Sequence, residues 1–112
     1  MGKLLIILFS PPLQSENANT ACRLASAAVE EGHKVTVFFD VEAVYNLMKS
    51  QSDQTKEIEE LIEKGAKVLL CRESARIRGI DIKSGLIEGV VESSLGKLAE
   101  LMEEQDRVIA FG

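Results

Sequence analysis

The 112-residue sequence has few aromatic and few metal-binding side chains: no tryptophan, one tyrosine, four phenylalanines and one histidine. Few rings are available to stack on nucleic-acid bases, and the formal net charge of -5 disfavours contact with a phosphate backbone. The two cysteines, Cys22 and Cys71, and the single histidine have neither the number nor the spacing of a zinc site. The composition therefore argues against a nucleic-acid partner and a metal site, and we expect no cofactor.

Long apolar segments are also absent, since the longest apolar run extends only from Leu4 to Phe9. A membrane-spanning helix needs about 20 such residues. The run follows a single Lys3, it is shorter than the apolar region of a signal peptide, and no cleavage site of small residues comes after it. We therefore expect a cytoplasmic protein without a membrane partner.

What the sequence does contain is an alternation of strand and helix patterns. Hydrophobic residues make up 46% and charged residues 28%, which is typical of a globular chain, and the length fits one domain over residues 1–112. Buried strands are predicted at 3–9, 34–40, 67–71 and 107–111, with a weaker one at 89–92. Helical periodicity lies between them at 16–31, 42–48, 56–64, 72–78 and 93–104. This order predicts an α/β fold, a parallel sheet with helices on both faces.

Several details of the helices follow from local signals. Ser15 or Asn17 is expected to cap the first helix, and Ser93 or Ser94 the last one. The polar segment 49–55 is predicted to be a loop. The apolar positions expected to face the core in the last helix are Leu95, Leu98, Leu101 and Met102.

Ligands of open parallel sheets bind outside the carboxyl ends of the strands, where this sequence places Cys71. A thiol at a strand-to-helix junction lies near backbone N–H groups and a positive helix end, which favour the thiolate. We therefore expect Cys71 to be partly accessible and more reactive than Cys22, which shares an apolar helix face. The alternative is that Cys71 is a small apolar residue ending a buried strand. Asp40 is predicted to cap the next helix, and His33 to lie on the surface at the opposite edge.

Four segments together carry a family resemblance. They are an apolar run and Ser-Pro-Pro at 4–12, Glu-Glu-Gly-His-Lys-Val at 30–35, Gly-Ala-Lys-Val-Leu-Leu-Cys at 65–71 with Arg78-Gly79 after it, and Asp-Arg-Val-Ile-Ala-Phe-Gly at 106–112. With these segments the chain resembles the DsrE/DsrF/TusD-like sulfur-relay family over essentially its whole length. The most specific element is Cys-x(6)-Arg-Gly, which begins at Cys71.

The resemblance implies a three-layer α/β/α fold with a five-stranded, mainly parallel sheet, assembled as trimers or hexamers. In the sulfur-transferring members, the cysteine at the position of Cys71 accepts a persulfide sulfur and passes it to a partner thiol. Other members have no proven activity. Some members carry a second cysteine soon after the first, whereas this chain has Arg72, Glu73 and Ser74, so the resemblance implies single-thiol carriage.

Two functional hypotheses follow. In the first, the protein is a cytoplasmic sulfur carrier, in effect a sulfurtransferase, which takes sulfur from a donor protein onto Cys71 and surrenders it to an acceptor. Its expected binding residues are Ser10, Asn17, Arg72 and Ser74, with Arg72 and the helix amides stabilising the sulfur anion. In the second, it is a non-catalytic, oligomeric protein that binds a small ligand, and Cys71 is structural.

We also expect a homo-oligomer, a trimer or hexamer. The apolar side chains that exceed the needs of one small core are Ile77, Ile80, Ile82, Leu86 and Ile87. Since large exposed apolar patches are uncommon on monomers, a neighbouring subunit is expected to cover this stretch, and the resemblance points the same way.

Overall fold

The computed structural model describes residues 2–12 and 16–112, which form five strands joined by helices. The strands are β1 (Lys3–Leu8), β2 (Lys34–Phe39), β3 (Lys67–Cys71), β4 (Val91–Ser93) and β5 (Arg107–Phe111). The helices are α1 (Asn17–Glu30), a 3-10 helix (Val41–Leu47), α2 (Asp53–Glu63), α3 (Arg72–Ile77) and α4 (Leu95–Glu104). One expected cap, Ser15, lies outside the described residues.

All the pairings in the sheet are parallel, and the strand order is β4-β3-β2-β1-β5. The chain builds the sheet in one direction from β1 to β4 and then places β5 on the other side of β1. The carboxyl ends of β1 and β5 therefore form the topological switch point of the sheet. The predicted α/β/α architecture with five parallel strands is confirmed.

The two faces of the sheet carry different helical layers. Helices α1 and α2, the 3-10 helix and Ala75 of α3 pack on one face, which we call the α1 face. Among the described residues, α4 is the one helix on the other face, which we call the α4 face. Because side chains alternate along a strand, successive strand residues enter different cores. The α4 face carries Leu5, Ile7, Phe38, Leu69 and Cys71.

The first residues of α1 and α2 differ from those expected from the sequence. The Ser52 hydroxyl accepts a hydrogen bond from the Thr55 N–H at 3.1 Å, so α2 begins at Asp53 and the predicted loop over 49–55 is too long. Asn17 is the first residue of α1 rather than its cap, since Glu16 holds that position without a side-chain hydrogen bond.

Helix α4 is capped by Ser94, one of the two expected residues, whose hydroxyl accepts from the Lys97 N–H at 3.1 Å. Leu98 is buried as expected. The prediction was wrong for Leu95 and Met102, which are 56% and 45% exposed. A single narrow stripe of α4 rests on the sheet, and these two side chains lie beside it.

The apolar stretch after α3 is mostly covered by the chain itself. Ile80 and Ile87 are buried, and Ile82 and Leu86 pack against the same core. The expectation that this stretch exceeds the needs of the core was therefore wrong for these four residues. Ile77, at the end of α3, remains 70% exposed.

Residues 2–12 and 16–112 contain neither a membrane-spanning helix nor a cluster of metal-binding side chains. No helix there has the length and apolar character needed to cross a membrane. Nor do these residues contain a group of three or more histidine, cysteine or carboxylate side chains placed to hold a metal ion.

Gly89, just before β4, is predicted to be the glycine least tolerant of a side chain. Its φ is +97°, and a β-carbon there would lie 2.8 Å from Cγ2 of Ile62. Gly65 has a similar φ of +106° with nothing within 4 Å of the added carbon, so it is the matched control. We expect Gly65→Ala to lower the free energy of unfolding by about 1 kcal/mol and Gly89→Ala by at least about 1 kcal/mol more, because crowding adds to backbone strain. Equal losses in urea unfolding would contradict this.

Candidate functional site

Cys71 is the last residue of β3 and the N-cap of α3. Its thiol enters the small core of the α4 face with Phe38, Leu69 and Leu98. The side chain is 1% exposed, so the expectation of partial accessibility is wrong for the chain taken alone. The reason is that strand alternation points the thiol beneath α4 rather than into the open edge of the sheet.

Ser74 ties the start of α3 to the end of β2. Its hydroxyl donates to Asp40 Oδ1 at 2.9 Å and accepts from the Val41 N–H at 3.0 Å, while the same N–H lies 2.8 Å from Asp40 Oδ1. Val41 has a φ of +43°, which β-branched residues rarely adopt. Asp40 thus caps the 3-10 helix as predicted, and the Ser74 hydroxyl is occupied by contacts that hold a strained peptide in place.

Arg72 points along the edge of the sheet towards β4. Its Nε donates to Glu92 Oε1 at 2.9 Å, and both side chains are about half exposed. Exposed pairs of this kind contribute about 0 to 1 kcal/mol to stability. A sulfur anion at Cys71 would have to share the charge of Arg72 with this carboxylate.

Ser10 and Asn17 lie at the switch point beyond β1. The Ser10 hydroxyl donates to the Gly112 carbonyl oxygen, and Asn17 Nδ2 donates to the same oxygen. Strand β2 stands between β1 and β3, and adjacent strands are about 4.8 Å apart. The structure therefore places the four expected binding residues in two clusters, with Arg72 and Ser74 near Cys71 and the other two across β2.

A cavity of about 570 Å³ opens on the α4 face between α4 and strands β3 and β4. Ser93 lines this cavity and is the register partner of Cys71 in the parallel β3–β4 pair. Register partners in a parallel pair point to the same face, so the Ser93 side chain lies beside that of Cys71. Sequence reasoning ended β4 at Glu92 and so missed this pairing. The signal that would have revealed it is the cap at Ser94, which ends the strand one residue later.

The second thiol, Cys22, is buried on the apolar face of α1, as predicted. Burial raises its pKa to about 12, the charge of Glu57 adds to the rise, and a hydrogen bond from Gln54 Nε2 at 3.3 Å partly opposes it. Cys22 is therefore protonated and unreactive at neutral pH. His33 is exposed as expected, and its Nδ1 accepts a hydrogen bond from the Gly2 N–H at 2.9 Å.

Comparison with known proteins gives consistent matches across the whole domain. The DsrE/DsrF-like family model matches residues 2–111. An uncharacterized protein of Methanopyrus kandleri is 30% identical, over 96% of this chain and 93% of its own length. A protein of Vibrio parahaemolyticus named as a sulfurtransferase TusD homolog is 34% identical, over 87% of this chain and 88% of its own. The crystal structure of the ychN protein of E. coli superposes with a TM-score of 0.92 at 28% identity, covering 99% of this chain and 100% of that one.

The raised pKa of Cys22 predicts a loss of stability in alkaline solution. The unfolded thiol ionises near pH 9.0 and the folded one near pH 12, so the folded state holds the proton more tightly. The resulting stabilisation is complete below pH 9.0 and is lost as the pH rises towards 12. We expect the free energy of unfolding of the wild type to fall more steeply across this range than that of Cys22→Ala, by up to a few kcal/mol. If the free energies of unfolding of the wild type and of Cys22→Ala, measured in urea, changed in parallel with pH, the burial of this thiol would be contradicted.

Proposed function

This chain belongs to the DsrE/DsrF-like family, and on that premise we propose that it is a sulfur-relay protein that carries sulfane sulfur on Cys71. The observation that carries the proposal is the place of this residue, a free thiol that both ends β3 and caps α3. The start of α3 brings backbone N–H groups, which favour a thiolate or a persulfide anion, into the same turn of the chain, although the Cys71 side chain makes no capping hydrogen bond to them. The similarity to proteins named as TusD homologs supports the same chemistry.

The proposed reaction is a thiol exchange at sulfur. The Cys71 thiolate attacks the terminal sulfur of a donor persulfide R–S–SH, and a bond forms between Cys71 Sγ and that sulfur. The sulfur–sulfur bond of the donor breaks, and the donor leaves as the thiolate R–S⁻ with the electron pair. In the second half, an acceptor thiolate attacks the outer sulfur of the Cys71 persulfide, and Cys71 leaves as a thiolate. No net oxidant or reductant is needed.

Burial determines how this reaction can take place. Cys71 is buried in the same small core as Leu98 of α4, so the donor sulfur must come from the cavity beside Ser93 or after a small displacement of α4. Helix α4 has one fully buried side chain, and the apolar side chains on either side of it are exposed, so the helix buries little apolar surface against the sheet. Elements with few buried apolar contacts open at low free-energy cost. A buried persulfide would also be shielded from stray reductants between the two halves.

A second candidate function is favoured by the same burial. A cysteine that is 1% exposed among Leu5, Phe38 and Leu98 also fits a structural role. The protein would then be a non-catalytic, oligomeric module that binds a small ligand. Reactivity at Cys71 separates the two functions.

We further propose a cytoplasmic location and sulfur-donor and sulfur-acceptor proteins as partners. The free state of both thiols supports a reducing compartment. A single thiol without a resolving cysteine at α3 supports exchange with a partner rather than an internal disulfide.

The first test of sulfur carriage is direct loading of the thiol. After exposure to a persulfide donor and removal of the excess, intact-mass spectrometry should show the addition of one sulfur atom, located by peptide mapping at Cys71. Cys71→Ser should abolish the addition, whereas Cys22→Ser should retain it, because Cys22 is buried with a pKa of about 12. Absence of sulfur on Cys71 in a folded protein would refute the carrier function and leave the binding module.

We also propose that the protein is a homo-oligomer, a trimer or hexamer, assembled through the α4 face. This face leaves apolar side chains uncovered next to its small core. On β5, Val108 and Ala110 share the face with their register partners Leu5 and Ile7, and both are exposed. Leu95 and Met102 of α4 extend the same apolar surface. Its position across an edge strand favours a second copy of the chain as the occupant, since an unpaired edge is a template for association.

Assembly can be measured by light scattering on the full chain at micromolar concentration. We expect a mass of three or six times 12.3 kDa. Val108→Glu should shift the mass towards the monomer, because it places a charge in the proposed contact. Lys56→Glu, on exposed α2 at the other face, is the control and should leave the mass unchanged. A wild-type mass near 12.3 kDa would overturn the proposal.

A further inference from the structure

We propose that the cavity beside Cys71 is a carboxylate-binding subsite for a low-molecular-weight thiol that bears a carboxylate. Such a thiol would accept sulfur from Cys71 as the thiolate, or donate sulfur to Cys71 in its persulfide form. This inference rests on the proposed function, since it names the substrate class that Cys71 would exchange sulfur with. The subsite is formed by the end of β4 and the start of α4, and Arg72 is the one residue of its lining that the sequence indicated as a binding residue.

The first observation is a hydroxyl group that has no partner in the protein. Ser93 is 7% exposed and lines the cavity, and its hydroxyl has no hydrogen-bond partner among the described residues. The oxygen atom itself keeps some access to solvent, since within the described residues Asn46 Oδ1 is the one side-chain atom that is both fully buried and unpaired. The Ser93 hydroxyl is therefore available to donate to an acceptor placed in the cavity.

The second observation is the start of α4 next to this hydroxyl. Ser94 caps the helix and uses its side chain on the Lys97 N–H. The N–H groups of Leu95 and Gly96 have no acceptor within the helix, since the first turn of an α-helix always leaves such groups. The ten-residue helix behind them makes this end favourable for a negative charge, and Ser94 and Lys97 of the same turn line the cavity.

The third observation is the charge of the lining. Lys67, Arg72 and Lys97 line the cavity against one carboxylate, that of Glu92. Glu92 already pairs with Arg72, and Glu100 Oε2 lies 3.7 Å from Lys97 Nζ. Lys67 has no carboxylate within 4 Å in the described part of the chain. In a protein with a net charge of -5, a cationic cavity is a local departure from the overall charge. The positive charge of this lining would attract an anionic ligand.

The remaining wall of the cavity defines the ligand further. It is apolar, formed by Leu69, Val91 and Leu101, and contains no aromatic ring. A nucleotide base would find nothing to stack on, whereas a short aliphatic chain would pack well. The cavity size of about 570 Å³ suits a small molecule rather than a folded segment. An aliphatic thiol that bears a carboxylate fits both parts of the cavity. Its carboxylate would lie at Ser93 and the start of α4, and its sulfur would point towards Cys71.

Binding can be tested separately from sulfur transfer. In the Cys71→Ser variant, which has no thiol at this site, amide NMR signals are followed while 3-mercaptopropionate is added. We expect saturable shifts at Ser93, Leu95 and Gly96. The neutral amide 3-mercaptopropionamide should shift them several-fold less at the same concentration, since it lacks the charge. Absence of a saturable shift at these residues, or equal shifts with both compounds, would overturn the subsite.

A reactivity test uses two reagents that differ in charge. The measured quantity is the ratio of the alkylation rate with iodoacetate to the rate with neutral iodoacetamide. This ratio should be higher for Cys71 in the full wild-type chain than for free cysteine. Ser93→Ala and Lys97→Gln should each lower this ratio by roughly two- to fivefold, with the iodoacetamide rate unchanged. Lys56→Gln, which removes the same charge on the other face of the sheet, should leave the ratio unchanged. A ratio that is the same in all variants would count against the subsite.

The two proposals fail in different ways. If Cys71 takes up sulfur but the carboxylate produces no localised NMR shift, the carrier function stands and its partner is not this class of thiol. If the shift is present but Cys71 never takes up sulfur, the cavity binds carboxylates and the carrier function is wrong.

Discussion

The alternation of side chains along β3 is the constraint on which the candidate site depends. Val68 and Leu70 enter the core of the α1 face, so Leu69 and Cys71 must point to the α4 face. A shift of one residue would place the thiol among the α1-face helices and Leu70 beneath α4. Since the core of the α1 face is large and apolar, it determines the register of the strand. The position of the thiol is thus a consequence of packing that takes place on the opposite side of the sheet.

The unequal helical layers explain why there is a cavity next to this thiol. On the α1 face, α1, α2, the 3-10 helix and Ala75 of α3 pack against the strands. On the α4 face, a ten-residue helix contacts chiefly β1, through Leu98 and Leu101. Strands β3 and β4 on that face are therefore only partly covered, and the cavity lies between them and α4. The same shortage of cover leaves apolar residues exposed and creates the groove that reaches Ser93.

The sequence predicted the layers and the position of Cys71 well, because buried parallel strands and glycine-terminated helices have strong local signals. It could not predict how much of the thiol is exposed. Accessibility depends on where α4 crosses the sheet, and the apolar positions of α4 alone suggest a wider contact, with Leu95 included. The hydrogen bond between Ser74 and Asp40 could not be predicted from the sequence either. The two residues are 34 positions apart and meet only because β2 and β3 are neighbours in the sheet. Both failures concern contacts between elements rather than the elements themselves.

Switch points are where open parallel sheets commonly bind ligands, yet here the chain fills that position with its own polar groups. Ser10 and Asn17 direct their donors to the Gly112 oxygen, and Asn46 donates to the Ser10 carbonyl at 3.0 Å. Donors already used in this way are poorly suited to hold an anion. The unpaired donors lie instead two and three strands away, at the ends of β3 and β4. Free hydrogen-bonding capacity, rather than topology alone, therefore determines where this fold can bind an anion, and it places that capacity beside the thiol at the end of β3.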